Sequence, residues 1–125
     1  MDDNRGELKA QFKRRLYTFT IKLIEFLDQL PSDNVSRRLG DQLLRSGTSI
    51  VGNYIEGQSA SSKKDFTNYF TIALKSSNES KLWLALLRDS NRTKPERVAW
   101  YLQELDELSK ILASSILTLK GKKHF

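Results

Sequence analysis

The feature that most constrains this chain is a repeat of apolar residues at steps of three and four in four successive segments. Such spacing places the apolar side chains of a segment on one face of an α-helix. The stripe of the first segment consists of Leu8, Phe12, Leu16, Phe19, Leu23, Phe26 and Leu30. The four stripes predict helices at about residues 7–30, 35–57, 63–88 and 94–119, followed by a tail at residues 120–125.

Residues that commonly flank helices lie between these segments. Pro31 disfavours α geometry in the residue before it and should end the first helix. Thr93 and Glu96 have the spacing of a capping box for the fourth helix, and Pro95 suits its first turn. Gly121 is a suitable C-terminal stop. Four amphipathic helices joined by short loops predict an all-α fold, an antiparallel up-down-up-down four-helix bundle that forms a single domain.

The second helix contains Gly40, Gly47 and Gly52, although a glycine inside a helix costs about 1 kcal/mol relative to alanine. Close packing of another helix backbone would compensate this cost. The centre of the third helix is also built from small residues, so these two helices are expected to approach closely. The alternative is a break in the second helix near Gly47.

The first helix carries a second apolar stripe beside the first, formed by Tyr17, Ile21 and Ile24. Two stripes indicate a helix wedged between neighbours or one at a subunit contact. Large aromatic residues near helix flanks fit either the edge of the core or a subunit interface. They are Tyr17, Tyr54, Tyr69, Trp83, Trp100 and Tyr101.

Metal and thiol chemistry have little support in the sequence. The chain has no cysteine, and its single histidine, His124, lies in the tail. Di-iron bundles use inward glutamates together with histidines. Glu56 and Glu79 could face inward, but we expect them to pair with Arg45 or Lys75 rather than to bind a metal. No cofactor is predicted.

Catalysis and export are also not predicted. No histidine lies within a folded segment to activate a serine, although a Ser–Lys arrangement stays open. Residues 1–5 are polar, and no apolar run approaches the roughly 20 residues of a membrane span. We therefore expect a cytoplasmic protein without a membrane segment and without an active site.

Basic residues collect at one end of the predicted bundle, and the formal net charge of +6 favours polyanionic partners. In the antiparallel topology this end joins the start of the first and third helices to the end of the fourth. The candidate nucleic-acid-binding residues are Lys9, Lys13, Arg14, Arg15, Lys63, Lys64, Lys120, Lys122 and Lys123. The alternative is a solvated, lysine-rich rim. Because no base-reading motif is present, any binding would be largely independent of sequence.

Several short motifs distributed over most of the chain resemble one known family. They lie at residues 42–50, 53–56, 62–66, 73–75, 78–79 and 83–84. Together they are similar to the four-helix-bundle proteins encoded in intervening sequences of bacterial large-subunit ribosomal RNA genes. One departure is visible, because residues 50–53 read Ile-Val-Gly-Asn where the family often has Ile-Gly-Ala-Asn.

The resemblance implies an up-down bundle that assembles into a ring-like homopentamer. It further implies that a set of motif residues forms a framework between helices rather than a catalytic site. This set is Arg45, Asn53, Glu56, Lys75 and Glu79. A related bundle is an accessory protein of reverse transcriptases in diversity-generating retroelements. We therefore expect a bacterial, non-enzymatic oligomer that binds RNA or DNA, or alternatively an adaptor for a protein such as a reverse transcriptase.

Overall fold

The computed structural model describes residues 2–121, with side chains described for residues 4–121. These residues form four helices and no strand. The helices are α1 (Asp2–Asp28), α2 (Asn34–Gln58), α3 (Lys63–Asp89) and α4 (Pro95–Leu119). Each packs against its neighbours in the chain, and α1 and α4 close the bundle. The predicted all-α four-helix bundle is confirmed.

Two helices begin at a side-chain cap, and a third does not. Asp33 caps α2 by accepting from the backbone N–H of Ser36, at 3.1 Å. Ser62 caps α3 in the same way through the N–H of Asp65. The capping box predicted between Thr93 and Glu96 is wrong. Since Pro95 is the first residue of α4, the capping position falls on the residue before it, which makes no side-chain capping bond.

Two helix ends use a left-handed residue. Asn91 follows α3 with φ of 62°, and the N–H of Arg92 bonds to the carbonyl of Leu87 at 2.9 Å, which closes the last turn. Gly121 follows α4 with φ of 72°, as expected of a glycine that stops a helix. The beginning of α1 differs from the prediction, because this helix already starts at Asp2.

The core runs the length of the bundle and is built from the predicted stripes. Its fully buried side chains include Leu16, Phe19 and Leu23 of α1 and Leu105 and Leu112 of α4. Leu8, the first residue of the α1 stripe, does not reach this core and is 63% exposed; Val35, near the start of α2, is 45% exposed. The stripe of Tyr17, Ile21 and Ile24 is also exposed, so it is not wedged between helices of the same chain.

Two opposite seams of the bundle differ in side-chain size. The α2–α3 seam is the most closely packed, and small residues line it; the hydroxyls of Ser46 and Ser80 lie 2.7 Å apart. The α1–α4 seam has the fewest backbone contacts and is filled by large rings. There Tyr101 packs against Phe19 and Phe26, with ring centroids 6.0 Å and 5.2 Å apart, respectively. The predicted close approach of α2 and α3 is thus confirmed.

At two glycines of α2, the space that a Cβ would occupy is filled by side chains of α1 and of the residues after it, not by a neighbouring backbone. A Cβ at Gly47 would collide with the side chain of Leu23 from α1, and one at Gly40 would lie 3.3 Å from Leu30. At Gly52 a Cβ would meet nothing within 4 Å. The helix runs unbroken from Asn34 to Gln58, so the alternative of a break near Gly47 is wrong.

Candidate nucleic-acid interface

Dividing each helix at its midpoint separates the bundle into two halves with different charge. The basic half comprises residues 4–14, 47–75 and 108–121, and the balanced half comprises residues 15–46 and 76–107. The basic half holds nine Lys and Arg against three Asp and Glu, whereas the balanced half holds ten of each. Within residues 4–121, the whole positive excess therefore lies in one half.

Ion pairs follow the same division. Five pairs form among the described side chains, and all of them lie in the balanced half. Two join Arg15 to Glu104 and Glu107, and another joins Lys81 to Asp106 at 2.8 Å. The basic residues of the other half are not neutralised by any carboxylate within 4.0 Å in the described part of the chain. This is the charge distribution expected of a surface that meets a polyanion.

Arg15 differs from the other predicted binding residues. Its guanidinium donates from Nε and Nη2 to the two carboxylate oxygens of Glu104 at 2.7 Å and 2.9 Å, and Nη2 also donates to Glu107 at 2.7 Å. The hydrogen bond to Glu104 is the main reason that the pKa of Arg15 is raised above its usual value. Since two carboxylates compensate this charge, we remove Arg15 from the candidate interface.

The remaining predicted residues are exposed at the basic half. On α1 these are Lys9, Lys13 and Arg14, and Lys63 and Lys64 form the first turn of α3. Lys120 lies just beyond α4. Lys122 and Lys123 lie outside the described residues. Lys75 and Lys110 also belong to the basic half. They were not predicted, although dividing every predicted helix at its midpoint would have found them.

An apolar groove between α1 and α2 adjoins these cations. Its volume is about 490 Å³, and Lys13 and Arg14 line it together with Tyr17, Val51 and Ile55. Tyr17 is 64% exposed, which is the largest exposure among the big apolar side chains of the described residues. Positive charge and an exposed aromatic ring therefore lie side by side on α1.

The motif residues are placed differently from the expectation. Glu56 and Glu79 are exposed rather than inward, and neither pairs with Arg45 or Lys75, which are exposed as well. The inward orientation predicted for the two glutamates is therefore wrong. Asn53 is half-buried and bonds within its own helix, donating to the hydroxyl and carbonyl oxygens of Ser49 at 2.8 Å.

Neither a metal cluster nor a membrane helix is found in the described part of the chain. Among residues 2–121, no three His, Cys, Asp or Glu side chains come together to hold a metal ion. None of α1 to α4 combines the length and apolar character needed to cross a membrane. His124 lies outside the described residues.

Comparison with known proteins agrees with the motifs. The model of the 23S rRNA-intervening sequence protein family matches residues 9–114. The chain belongs to this family. Among solved structures, this member of the intervening-sequence family is similar to a protein of unknown function from the S23 ribosomal protein family of Bacteroides thetaiotaomicron. The two are 32% identical with a TM-score of 0.79, over 84% of this chain and 97% of the other. No curated protein matches the chain.

Proposed function

We propose that this intervening-sequence protein is a non-enzymatic, cytoplasmic oligomer that binds RNA or DNA through the basic half, largely without regard to sequence. The observation that carries the proposal is the confinement of the positive excess to one half without intramolecular ion pairs. A protein that meets phosphates with lysine and arginine releases condensed counterions, and this supplies most of non-specific affinity.

The arrangement of the cations supports backbone contacts rather than base readout. Lys9, Lys13 and Arg14 stand on about one and a half turns of α1, and Lys63 and Lys64 begin α3 at the same end of the bundle. Cations fixed on helices present positive charge to phosphates without the side-chain pattern that reads base edges. We therefore expect RNA and DNA of unrelated sequence to bind with similar affinity at equal salt.

An exposed apolar surface supports self-association. We call it the outer α1–α2 face, formed by Tyr17, Ile21 and Ile24 of α1 and by Leu44 and Ile55 of α2. Its members recur at helical spacing, and each is at least 38% exposed. Contiguous apolar surface rimmed by charge is typical of protein–protein contacts. Here it supports a homo-oligomer, a pentamer if the family resemblance extends to assembly.

The outer α1–α2 face also supports a second candidate function. A protein partner, such as a reverse transcriptase, could occupy it, and the chain would then act as an adaptor without a direct nucleic-acid role. In that case the basic half would serve the partner or solubility. The two candidates differ in whether the purified chain alone binds nucleic acid.

Two variants with equal net charge test the nucleic-acid proposal. The first carries Lys13→Glu, Arg14→Glu, Lys63→Glu and Lys64→Glu in the basic half. The second carries Arg37→Glu, Arg38→Glu, Lys94→Glu and Arg97→Glu in the balanced half. Binding to a 20-nucleotide RNA and a 20-base-pair DNA is measured by fluorescence anisotropy at low salt, with helicity checked by circular dichroism.

We expect the basic-half variant to lose at least about 100-fold in affinity, since four phosphate contacts become repulsive, and the balanced-half variant to lose less than about tenfold. Equal losses in the two folded variants would show that only net charge matters and would contradict the assigned surface. A wild-type chain that binds neither nucleic acid at low salt would favour the adaptor.

Self-association is tested by the single substitution Tyr17→Glu. A charge in the centre of an apolar contact must be desolvated, so the solution mass measured by light scattering should fall toward that of one chain. Leu82→Glu is the matched control, because Leu82 is 51% exposed on α3 and lies outside the outer α1–α2 face. A wild-type protein that is already monomeric would contradict the oligomer.

A further inference from the structure

A second groove lies between α2 and α3 and crosses the boundary between the two halves, since Arg45 belongs to the balanced half and Lys75 to the basic half. Its floor is made of small hydroxyl side chains, which let the two helices approach closely. Longer side chains form its rim, so that a depression of about 320 Å³ remains. The rim consists of Gln42, Arg45, Ile72, Lys75, Glu79 and Trp83.

The floor of this groove offers a hydrogen-bond donor without an acceptor. The hydroxyl oxygen of Ser49 accepts from Ser76 and from Asn53, both at 2.8 Å. Its own proton finds no acceptor among the described residues. A hydroxyl that is half-buried and already accepts two bonds is free to donate to a ligand in the groove.

The rim offers further donors of the same kind. Trp83 lines the groove, and its indole Nε1–H is buried without an acceptor within the described part of the chain. A buried N–H that makes no hydrogen bond costs free energy, so such groups call for a partner. Arg45 and Lys75 add two cations that no described carboxylate neutralises, although Glu79 lines the same groove.

Donors that outnumber acceptors select an anion rich in oxygen. With Arg45 and Lys75 positive and Glu79 negative, the rim keeps one net positive charge. Arginine presents a planar fork of donors that matches phosphate, and lysine and a serine hydroxyl add single donors. The apolar side chains of Ile72 and Trp83 offer contact to the group attached to the phosphate. Glu79 could accept hydrogen bonds from hydroxyls of that group.

We propose that the α2–α3 groove binds the terminal phosphate of a small phosphorylated ligand through Arg45, Lys75 and Ser49. This site shares Lys75 with the basic half but contains none of the cations on α1 or in the first turn of α3 that are proposed to meet RNA or DNA. A free phosphate, a mononucleotide and the phosphorylated end of a strand all present this chemistry. The site does not depend on the proposed function and is tested without nucleic-acid polymers.

Trp83 provides a direct reporter of the site. The chain has two tryptophans, so its amide NMR spectrum has two indole signals, and Trp100→Phe assigns them. Inorganic phosphate, adenosine 5′-monophosphate and adenosine are titrated at constant ionic strength. We expect phosphate and the nucleotide to shift the Trp83 signal with saturation, and adenosine to leave it unchanged. Tighter binding of the nucleotide than of phosphate would indicate that the site also recognises the group attached to the phosphate. Equal affinity would indicate that the phosphate alone is recognised.

Charge variants separate binding from a structural role. Arg45→Gln with Lys75→Gln should weaken phosphate binding by at least about tenfold, since two charge-assisted contacts are lost. Glu79→Gln should strengthen it about threefold, because a repelling carboxylate is removed. Arg97→Gln is the matched control, because Arg97 is exposed on α4 in the balanced half and does not line the groove, so this variant should behave as wild type.

Two results would overturn the site. One is the absence of a saturable Trp83 shift with phosphate and with the nucleotide. The other is an unchanged shift in the folded variant that lacks both Arg45 and Lys75. The basic-half variant should still show the phosphate-dependent shift, so failure of nucleic-acid binding and failure of this site can be told apart.

Discussion

Among residues 4–121, the two halves of the bundle carry almost equal numbers of basic residues, nine in the basic half and ten in the balanced half, but three and ten acidic residues, respectively. They share the same four helices and one continuous core. In the balanced half an equal number of carboxylates offsets the cations, and four of the ten cations, Arg15, Lys81, Arg88 and Arg92, form ion pairs. In the basic half the cations repel one another and contribute nothing to the fold as ion pairs.

The lowered carboxyl pKa values follow the same pattern. Those of Asp33, Asp89 and Asp106 are lowered, mainly by hydrogen bonds from Ser36, Arg88 and Lys81, respectively, and all three residues lie in the balanced half. A similar number of lysines and arginines is therefore offset by carboxylates in one half and largely left without them in the other.

The largest effect is expected where both halves depend on one packing contact. Gly47→Leu places a side chain against Leu23, which is fully buried and cannot move into solvent. We expect the free energy of unfolding to fall by about 3 kcal/mol or more. Thermal denaturation monitored by circular dichroism measures this loss. The two halves should melt together because their core is continuous.

Gly52→Ala is the control for this substitution. It lies on the same helix with open space around the added Cβ, so it should gain up to about 1 kcal/mol from helix propensity alone. If Gly47→Leu melted within a few degrees of wild type, the packing described for α1 and α2 would be incorrect.

A second prediction compares two adjacent arginines at the boundary between the halves. Arg15→Met removes the bidentate partner of Glu104, whose side chain is only 12% exposed, and should cost about 1–2 kcal/mol because a carboxylate is left poorly solvated. Arg14→Met removes an unpaired cation and should change the free energy of unfolding by no more than about 0.5 kcal/mol.

For RNA affinity, the relative size of the effects of the two substitutions should reverse. Arg14→Met should weaken RNA affinity, whereas Arg15→Met should leave the affinity of the folded fraction nearly unchanged. On the same protein stocks, urea denaturation measures the free energy of unfolding and fluorescence anisotropy measures the RNA affinity. Equal destabilisation by the two substitutions would break the distinction between compensated and free cations.

The smallest effect concerns acid. Hydrogen bonds from the side chain and backbone of Ser36 lower the pKa of Asp33 to about 2, with Arg92 adding to the effect. A carboxyl whose pKa is lower in the folded state stabilises the fold above its unfolded pKa, and that contribution is lost as pH falls from about 4 to 2. Melting temperature should therefore fall less steeply over this range in Asp33→Asn than in wild type. If the melting temperatures of the two proteins fell equally with pH, the charge of the Asp33 cap would not contribute to stability.

Much of the fold was predictable because periodicity reports burial directly. The stripe residues Leu16, Phe19 and Leu23 are buried as predicted, and the small residues of α2 and α3 do bring these helices together. The prediction for the glycines was only partly correct. Periodicity shows which face of a helix is inward but not whether a backbone or a side chain such as Leu23 fills the space.

The candidate site was harder to predict, because charge compensation acts across helices. Arg15 looks like its neighbour Arg14 in the sequence, and only the packing of α4 against α1 brings Glu104 to it. Likewise, Glu56 and Glu79 could have faced inward and paired with Arg45 or Lys75, yet both are exposed. Helix period alone does not distinguish the edge of a groove from the interior beside it.

The nucleic-acid proposal assigns binding to the basic half rather than to the net charge of the chain. The slope of log Kobs against log salt concentration, measured on a single-stranded RNA for wild type and for the two charge variants, tests this assignment. For single strands the slope is about −0.7 per phosphate neutralised, so the basic-half variant should be shallower than wild type by roughly 3. The balanced-half variant should keep the wild-type slope. Equal slopes in the two variants would contradict the account.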